Sequence, residues 1–506
     1  MSWTAHTLPA LLSMASLHAL AQYQRPNVIL IVADDLGYAD LSCYGAKGVK
    51  TPAVDRLAQR GLRFTDAHCV ASTSTPSRYG MLTGCYPFRK PNTNVAAGNA
   101  GMIITPDQYT LADLFHDQGY KTGAIGKWHL GLGSKTGEQN WNAPLDAHLA
   151  DIGFDYSYIM AATADRVPCV FIENGRVANY DPSAPIEVSY QKAFEGVKNY
   201  KDYRPEELKL RSSHGHDYSV VNGIGRIGWM KGGGKALWED ENIADSITSH
   251  ALRFINENRQ DPFFLYLATN DVHVPRYPHE RFRGKSPMGL RGDAILQFDW
   301  TVECVTQELE RLGLTENTLI ILTSDNGPVL DDGYQDRAIE LAGEHRPGGI
   351  FRGGKYSAFE AGSTVPFIVS WPGHIKQGKE SKSLVSQIDF MGSLAQLIGG
   401  NVPEGHGTDT RNQLTTWLGK SKADAPYALS MAASRSLTLR TKRWKYIAPC
   451  NGEPIISWGP AIETGYLKTP QLFDYKKDPG ETRNVAEQNA SVVTEIEGII
   501  EGIVKK

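Results

Sequence analysis

The chain has 506 residues, 41% apolar and 21% charged, with a formal net charge of −4 at pH 7. That length can bury a large core and predicts two domains, and the composition is that of an ordinary soluble globular protein, not a disordered or fibrous one. The acidic balance argues against nucleic acid as a partner and against a generic anion-binding surface, so an anionic substrate must be held by a local site.

Residues 8–20 are largely apolar but too short to span a bilayer. Ala19-Leu20-Ala21 fits a small-x-small cleavage site before Gln22. Residues 1–21 are therefore predicted to be an export signal directing the protein to the periplasm, although Met1 to Thr7 carries no Lys or Arg. No Cys follows the predicted cut, so no lipid anchor is indicated, and no other segment is long and apolar enough for a membrane span. The six cysteines are scattered without a C-x-x-C, which leaves zinc and iron–sulfur sites unsupported. Export permits disulfides, but the spacing assigns no pairs.

Along the chain, four short apolar runs predict buried strands at 28–33, 263–268, 319–323 and 366–371. Their near-continuous apolar character suits a parallel sheet covered on both faces. Thr51-Pro52 opens a helix that Gly61 closes. Apolar spacing near 3.6 predicts two further helices, at 242–256 and 293–312. Strands alternating with helices give an α/β fold. The first strand runs into Asp34-Asp35, the second into Asn270-Asp271-Val272-His273, and the third into Ser324-Asp325-Asn326. Ligands of open α/β sheets bind outside the carboxyl ends of the strands, so three strands deliver acidic and His groups to one edge. Adjacent carboxylates repel unless a cation sits between them. The oxygen donors Asp34, Asp35, Asp325 and Asn326 suit calcium or magnesium better than zinc.

Residues 231–235 contain three consecutive glycines and predict a mobile loop. The polar stretch 401–410, with Pro and Gly, predicts a linker. It divides a catalytic domain at 22–400 from a smaller α+β domain at 411–506. That second domain has short strands within 427–448 and 472–475 and a closing amphipathic helix at 490–504.

Two motifs carry further chemistry. Ser74-Thr75-Pro76-Ser77-Arg78 precedes Leu82-Thr83-Gly84. Pro76 suits the first turn of a helix, which puts Ser74 at an N-terminus whose unpaired N–H groups attract an anion. Gly119-Tyr120-Lys121-Thr122 precedes Gly126-Lys127-Trp128-His129, where Lys127 offers a point charge and His129 a proton carrier near neutral pH.

With these motifs the chain resembles the formylglycine-dependent, arylsulfatase-like sulfatases of the alkaline phosphatase superfamily. The likeness extends from Pro26 to the Leu472-Phe473-Asp474-Tyr475 segment and its Asp478-Pro479-Gly480-Glu481 continuation. It departs at Cys85, where the family usually has Arg. The resemblance implies a large, mixed, mostly parallel sheet sandwiched by helices, and hydrolysis of sulfate esters. It implies that Ser74 is oxidised to formylglycine by a serine-competent maturation enzyme. Asp34, Asp35, Asp325 and Asn326 would then hold one calcium ion, with the oxygen of residue 74 completing the shell. The aldehyde hydrate at 74 would attack sulfur, activated by the cation and Arg78. Lys127 and Lys355 would stabilise the sulfuryl oxygens, His273 would protonate the departing alcohol, and His129 would help release sulfate. The closest likeness is to exported bacterial sulfatases acting on galactose- or N-acetylgalactosamine-containing host glycans. Asp165, Arg166, His214, His216, Glu344, His345 and Arg346 are candidate contacts to a hydroxyl-rich sugar. Two alternatives stay open: a phosphomonoester or phosphodiester hydrolase of the same superfamily, and an inactive glycan-binding relative if Ser74 is unmodified.

Overall fold

The computed structural model describes residues 25–457 and 461–506, so the predicted export signal at 1–21 lies outside the described residues. A ten-stranded sheet organises the chain. In chain order its strands are β1 (Asn27–Ala33), β2 (Gly61–Phe64), β3 (Lys121–Lys127), β4 (Tyr156–Met160), β5 (Phe171–Glu173), β6 (Arg176–Val177), β7 (Phe263–Ala268), β8 (Thr318–Ser324), β9 (Phe367–Ser370) and β10 (Lys379–Ser381). They lie side by side as β10-β2-β9-β8-β1-β7-β3-β4-β5-β6. The middle five, from β8 to β4, are all parallel. Every residue of β1, β7 and β8 is buried, as apolar and β-branched strands covered on both faces must be.

Helices cover both faces. Among them are α1 (Pro52–Gln59), α2 (Ser74–Thr83), α3 (Leu111–Asp117), α4 (Ile243–Glu257), α5 (Gly289–Arg311) and α6 (Phe390–Ile398). The ring of Phe254 on α4 lies over Gly123, where a Cβ would come within 2.7 Å of it. Phe115 on α3 stacks on Phe264 at 4.3 Å. Gly123 pairs with Leu265 and Phe264 with Thr122, so the two helices sit on opposite faces of the sheet.

The run at 366–371 forms β9, but β9 pairs antiparallel with both β8 and β2. A strand buried on both faces has the same apolar pattern in either direction, so its sequence does not encode polarity. The glycine-rich stretch at 231–235 is tied down. Trp229–Lys231 pairs with Glu187–Ser189, and the Gly233 N–H donates to the Ala184 carbonyl at 2.8 Å. All six cysteines are free thiols.

Beyond residue 410, four antiparallel strands form a second sheet: β11 (Ala428–Met431), β12 (Leu437–Arg440), β13 (Trp444–Ile447) and β14 (Gln471–Asp474). Helix α7 (Ala490–Val504) packs Val493, Ile496 and Ile503 into a core with Leu429, Leu439, Tyr446 and Leu472. Buried charges join this unit to the large sheet. Arg440 reaches Asp66 at 2.8 Å and Glu360 at 2.9 Å, and Lys445 reaches Glu360 at 3.1 Å.

Candidate active site

The carboxyl ends of β1, β3, β7 and β8 open on one edge of the sheet, and the polar groups collect there. β1 ends in Asp34-Asp35. The Asp34 N–H donates to the Asp271 carbonyl beyond β7 at 3.0 Å. Asp35 adopts φ +57°, and its N–H donates to Asp325 Oδ1 at 3.2 Å. A non-glycine residue in this region costs about 1–3 kcal/mol and persists where surrounding contacts over-determine it. His129 (φ +59°) and Tyr356 (φ +75°) share the feature, so three residues of one site are held in a disfavoured backbone.

Ser74 is the first residue of α2, after Thr73 in an extended conformation. Its Oγ donates to Asn326 Oδ1 at 3.3 Å, and Asn326 Nδ2 donates to Asp35 Oδ1 at 2.7 Å. Lys127, closing β3, donates to Asp34 Oδ2 at 2.6 Å and to Ser74 Oγ at 2.8 Å. Arg78, one turn along α2, grips Asp325 Oδ2 through Nε and Nη2 at 3.0 and 2.8 Å, and its Nη1 reaches the Tyr266 hydroxyl at 3.1 Å. Lys355 donates to Asp35 Oδ2 at 2.8 Å and to Asp332 Oδ2 at 2.7 Å. His273 donates Nδ1–H to the Val274 carbonyl at 2.6 Å, leaving Nε2 at 3.7 Å from Asp35 Oδ2.

The electrostatics suit a bound cation. Burial pushes the Asp34 carboxyl well above the carboxylate range, against the pull of Lys127 and with the push of Asp325 and Asp35. Its Oδ1 is buried without a hydrogen-bond partner. Burial also works to raise Asp325, but Arg78 and Lys127 outweigh it and hold that carboxyl below its usual range. Asp34, Asp35 and His273 offer ligand atoms that all lie within 4.8 Å of one another. With Asp325 and Asn326 alongside, this oxygen-rich set fits a hard divalent cation. Burial, reinforced by nearby cations, holds both histidines well below their ordinary value. These are Lys127 and Arg166 for His129, and Lys355 and Lys127 for His273. His129 donates Nε2–H to the Ala96 carbonyl at 2.9 Å, and its buried Nδ1 has no partner.

A cavity of 230 Å³ opens above these groups, and Ser74, His129, His273 and Lys355 line its floor. Asp165, Arg166, His214 and His216 form one wall. Asp165 accepts from His216 Nε2 at 2.9 Å and from Arg166 Nη1 at 2.9 Å. His216 Nδ1 faces the His214 carbonyl at 2.9 Å. The remaining three predicted sugar contacts are elsewhere. His345 is buried against Asp40 at 2.8 Å, beside the Asp40–Arg291 ion pair at 2.6 Å. Glu344 makes an exposed pair with Lys47 at 3.1 Å, and Arg346 donates to the Gly343 and His345 carbonyls. Their polar composition suggested a sugar site, but the Asp40 cluster and the surface use them instead. Conversely, the sequence reading passed over Asp332 and Tyr356. Both line the cavity, and the Tyr356 hydroxyl donates to Asp332 Oδ1 at 2.9 Å. The available signals were Asp331-Asp332-Gly333, which reads as a turn, and an aromatic residue directly after Lys355.

The sulfatase family model matches residues 26–400. The chain belongs to the sulfatase family. It is a sulfuric ester hydrolase with an alkaline phosphatase-like fold, built on a mostly parallel sheet with a small antiparallel C-terminal sheet. An N-acetylgalactosamine-6-O-sulfatase of Bacteroides thetaiotaomicron is 49% identical over 95% of this chain and 93% of its own. Human arylsulfatase A is 29% identical over 96% of this sulfatase and 89% of its own length. A solved 6S-sulfatase structure, from work on glycosaminoglycan metabolism by Bacteroides thetaiotaomicron, superposes with a TM-score of 0.93. It is 48% identical and covers 96% of this chain and 100% of that one. A structure solved in complex with a neocarrahexaose aligns with a TM-score of 0.66 at 26% identity, covering 95% and 92%.

Proposed function

We propose that this sulfatase removes the 6-O-sulfate from N-acetylgalactosamine-type residues of sulfated glycans, using formylglycine made from Ser74 and one calcium ion. The observation that carries the substrate is the 49% identity to an N-acetylgalactosamine-6-O-sulfatase across nearly all of both chains. Asp34 Oδ1, buried without a hydrogen bond and only 3.8 Å from Arg78 Nη2, and the crowded carboxylates support the cation. Asp34, Asp35, Asp325 and Asn326 would hold it, and when bound it supplies Lewis-acid polarisation of a sulfate oxygen. Formylglycine supplies a geminal diol in place of a serine hydroxyl, which is weakly nucleophilic without a base.

The chain's own residues do the rest. Lys127 and Lys355 set two positive charges beside Ser74 and Asp35, where the sulfuryl oxygens gain charge. Arg78 fixes the Asp325 carboxylate through two hydrogen bonds and stays charged. The Nδ1–H bond of His273 leaves Nε2 unprotonated, so Nε2 would have to take up a proton before it could pass one to the departing alcohol. His129, held neutral by burial, keeps Nδ1 free to take a proton from residue 74. Asp165, Arg166, His214 and His216 present donors and acceptors for sugar hydroxyls at the pocket wall. Export through residues 1–21 to the periplasm and oxidation by a serine-competent maturation enzyme complete the reading. N-terminal sequencing of protein from the native host tests the export step.

The test of substrate is sulfate release by matured enzyme from the 6-sulfate and 4-sulfate of N-acetylgalactosamine and the 6-sulfate of N-acetylglucosamine. The 6-sulfated galacto sugar should be turned over at least about tenfold faster than either alternative. Preference for the 4-sulfate or the gluco epimer overturns the assignment.

A further inference from the structure

The net charge of −4 argues against an anion-binding surface as an average over the chain, but the lysines are not spread evenly. Lys376 comes from the approach to β10, Lys379 from its first position and Lys382 from just beyond it, Lys422 from the segment before β11, and Lys442 from the turn between β12 and β13. The fold brings all five around one open groove of 660 Å³. Only two carboxylates line it, and both are engaged: Glu380 by Arg63 at 2.5 Å and Asp424 by Lys442 at 3.2 Å. Lys442 also pairs with Asp66 at 3.2 Å. Among the described residues, no carboxylate pairs with Lys376, Lys379, Lys382 or Lys422. The floor is made of Leu62, Ile375, Gly419 and small hydroxyl residues.

One simple role for such lysines is edge protection, because β10 ends the large sheet and a charged edge blocks strand addition. That accounts for Lys379. It does not account for Lys422, which comes from a separate segment and lines the same groove, whereas Lys442 is engaged by Asp66, Asp424 and the Lys382 carbonyl. Converging ammonium groups repel one another, and a bound polyanion relieves that repulsion.

We propose that this groove is a second, non-catalytic binding site for a sulfated polysaccharide chain. Lysine suits it as a compact point charge that does not demand one geometry from its anion, and the small and apolar floor suits the C–H faces of sugar rings. The groove lies four strand positions from β1, about 19 Å across the sheet, so it is separate from the catalytic pocket. Holding a distant stretch of polymer there raises the effective concentration of its ends at the pocket. The proposal rests on the sulfated-glycan reading of the active site, but its test is independent of turnover.

Binding is measured with unmodified Ser74 protein, so the probe is not consumed, and the probe is 6-sulfated chondroitin. Comparators are the same polymer chemically desulfated and a DNA duplex of similar length. The triple variant Lys379→Ser, Lys382→Ser, Lys422→Ser should bind the sulfated polymer about tenfold more weakly at 50 mM salt. Its affinity should also fall less steeply with salt, because fewer counterions are exchanged. In matured enzyme, kcat/KM on the 6-sulfated monosaccharide should stay within about twofold, while kcat/KM on the polymer falls. If the triple variant melts lower than the parent, the double variant Lys376→Ser, Lys379→Ser carries the test with a proportionally smaller effect. Unchanged polymer affinity and salt slope in a folded variant overturns the proposal. So does equal binding of the desulfated chain or of DNA by the parent. If the matured parent releases no sulfate from the 6-sulfated monosaccharide, the substrate reading falls, and the groove is still judged by the binding arms alone.

Discussion

Glu481 is fully buried between the large sheet and the C-terminal unit. Its Oε2 accepts the Glu360 N–H at 2.7 Å, and its Oε1 has no partner. Burial pushes its carboxyl from an ordinary 4.5 up to about 8, with Lys445 pulling down and Glu360 pushing up. Below about pH 4.5 both folded and unfolded chains hold this proton, so it contributes no pH dependence. Between there and about 8 the unfolded chain releases the proton while the folded chain keeps it. Stability therefore falls with rising pH, by at most about 1.4 kcal/mol per unit, and by no more than about 4–5 kcal/mol across the window. Glu481→Gln stays neutral and keeps a carbonyl oxygen for the Glu360 N–H. The variant should match the parent within about 1 kcal/mol at pH 5 and exceed it at pH 8 by a few kcal/mol. For a chain of this size that amounts to several degrees in melting temperature. The assay is a pair of melting series from pH 5 to 8.5 at constant salt and calcium, read as the parent–variant difference. Parallel curves, or a variant less stable at pH 8, would refute the reasoning.

Ser74→Ala should abolish sulfate release while leaving the melting temperature within about 2 °C, because α2 keeps its packing; active parent protein should show a residue-74 peptide lighter by two hydrogens. Exhaustive chelation should lower both activity and melting temperature, and added calcium should restore both; no change in either removes the cation from the site. Asp332→Ala removes the shared acceptor of Lys355 and Tyr356. Losing a charge-assisted hydrogen bond of about 1.5–3 kcal/mol should cut kcat about 10- to 100-fold, which single-turnover kinetics would measure. His216→Ala should raise KM for the 6-sulfated sugar more than it lowers kcat, the pattern of lost uniform binding, as steady-state kinetics would show.

The polar edge of the sheet was legible because its residues end apolar runs. A buried strand that stops at Asp34-Asp35 or Asp325-Asn326 announces both its position in the sheet and the edge it faces. Ser74 and Arg78 were singled out by the sulfatase-like motif, and the helix start sets them one turn apart, while α7 was legible because an amphipathic period fixes its bounds. Asp332 and Tyr356 were not, since they sit in loops whose approach to the pocket is decided by contacts made far away in the chain. The same limit explains Glu344, His345 and Arg346. A His beside charged neighbours reads as a site, but only the fold reveals that Asp40 and Arg291 claim it. The polarity of β9 was hidden because its burial is symmetric. The basic groove escaped because net charge is a sum, and five lysines from three separate segments leave no local run.

All ten residues of α2 are buried, and Ser74 itself is 2% exposed. The 230 Å³ pocket admits a sugar to that residue but not the active site of another protein. Exposing Ser74 to such a partner means pulling α2 from the core, an opening that approaches the cost of global unfolding. On the proposed formylglycine reading, oxidation and folding would therefore compete in time. The proposed converting enzyme would have to meet this segment while the chain is still open, and a molecule that folded first would stay in the serine form. Adding the converting enzyme to folded, immature protein should do nothing, whereas adding it during refolding should recover activity.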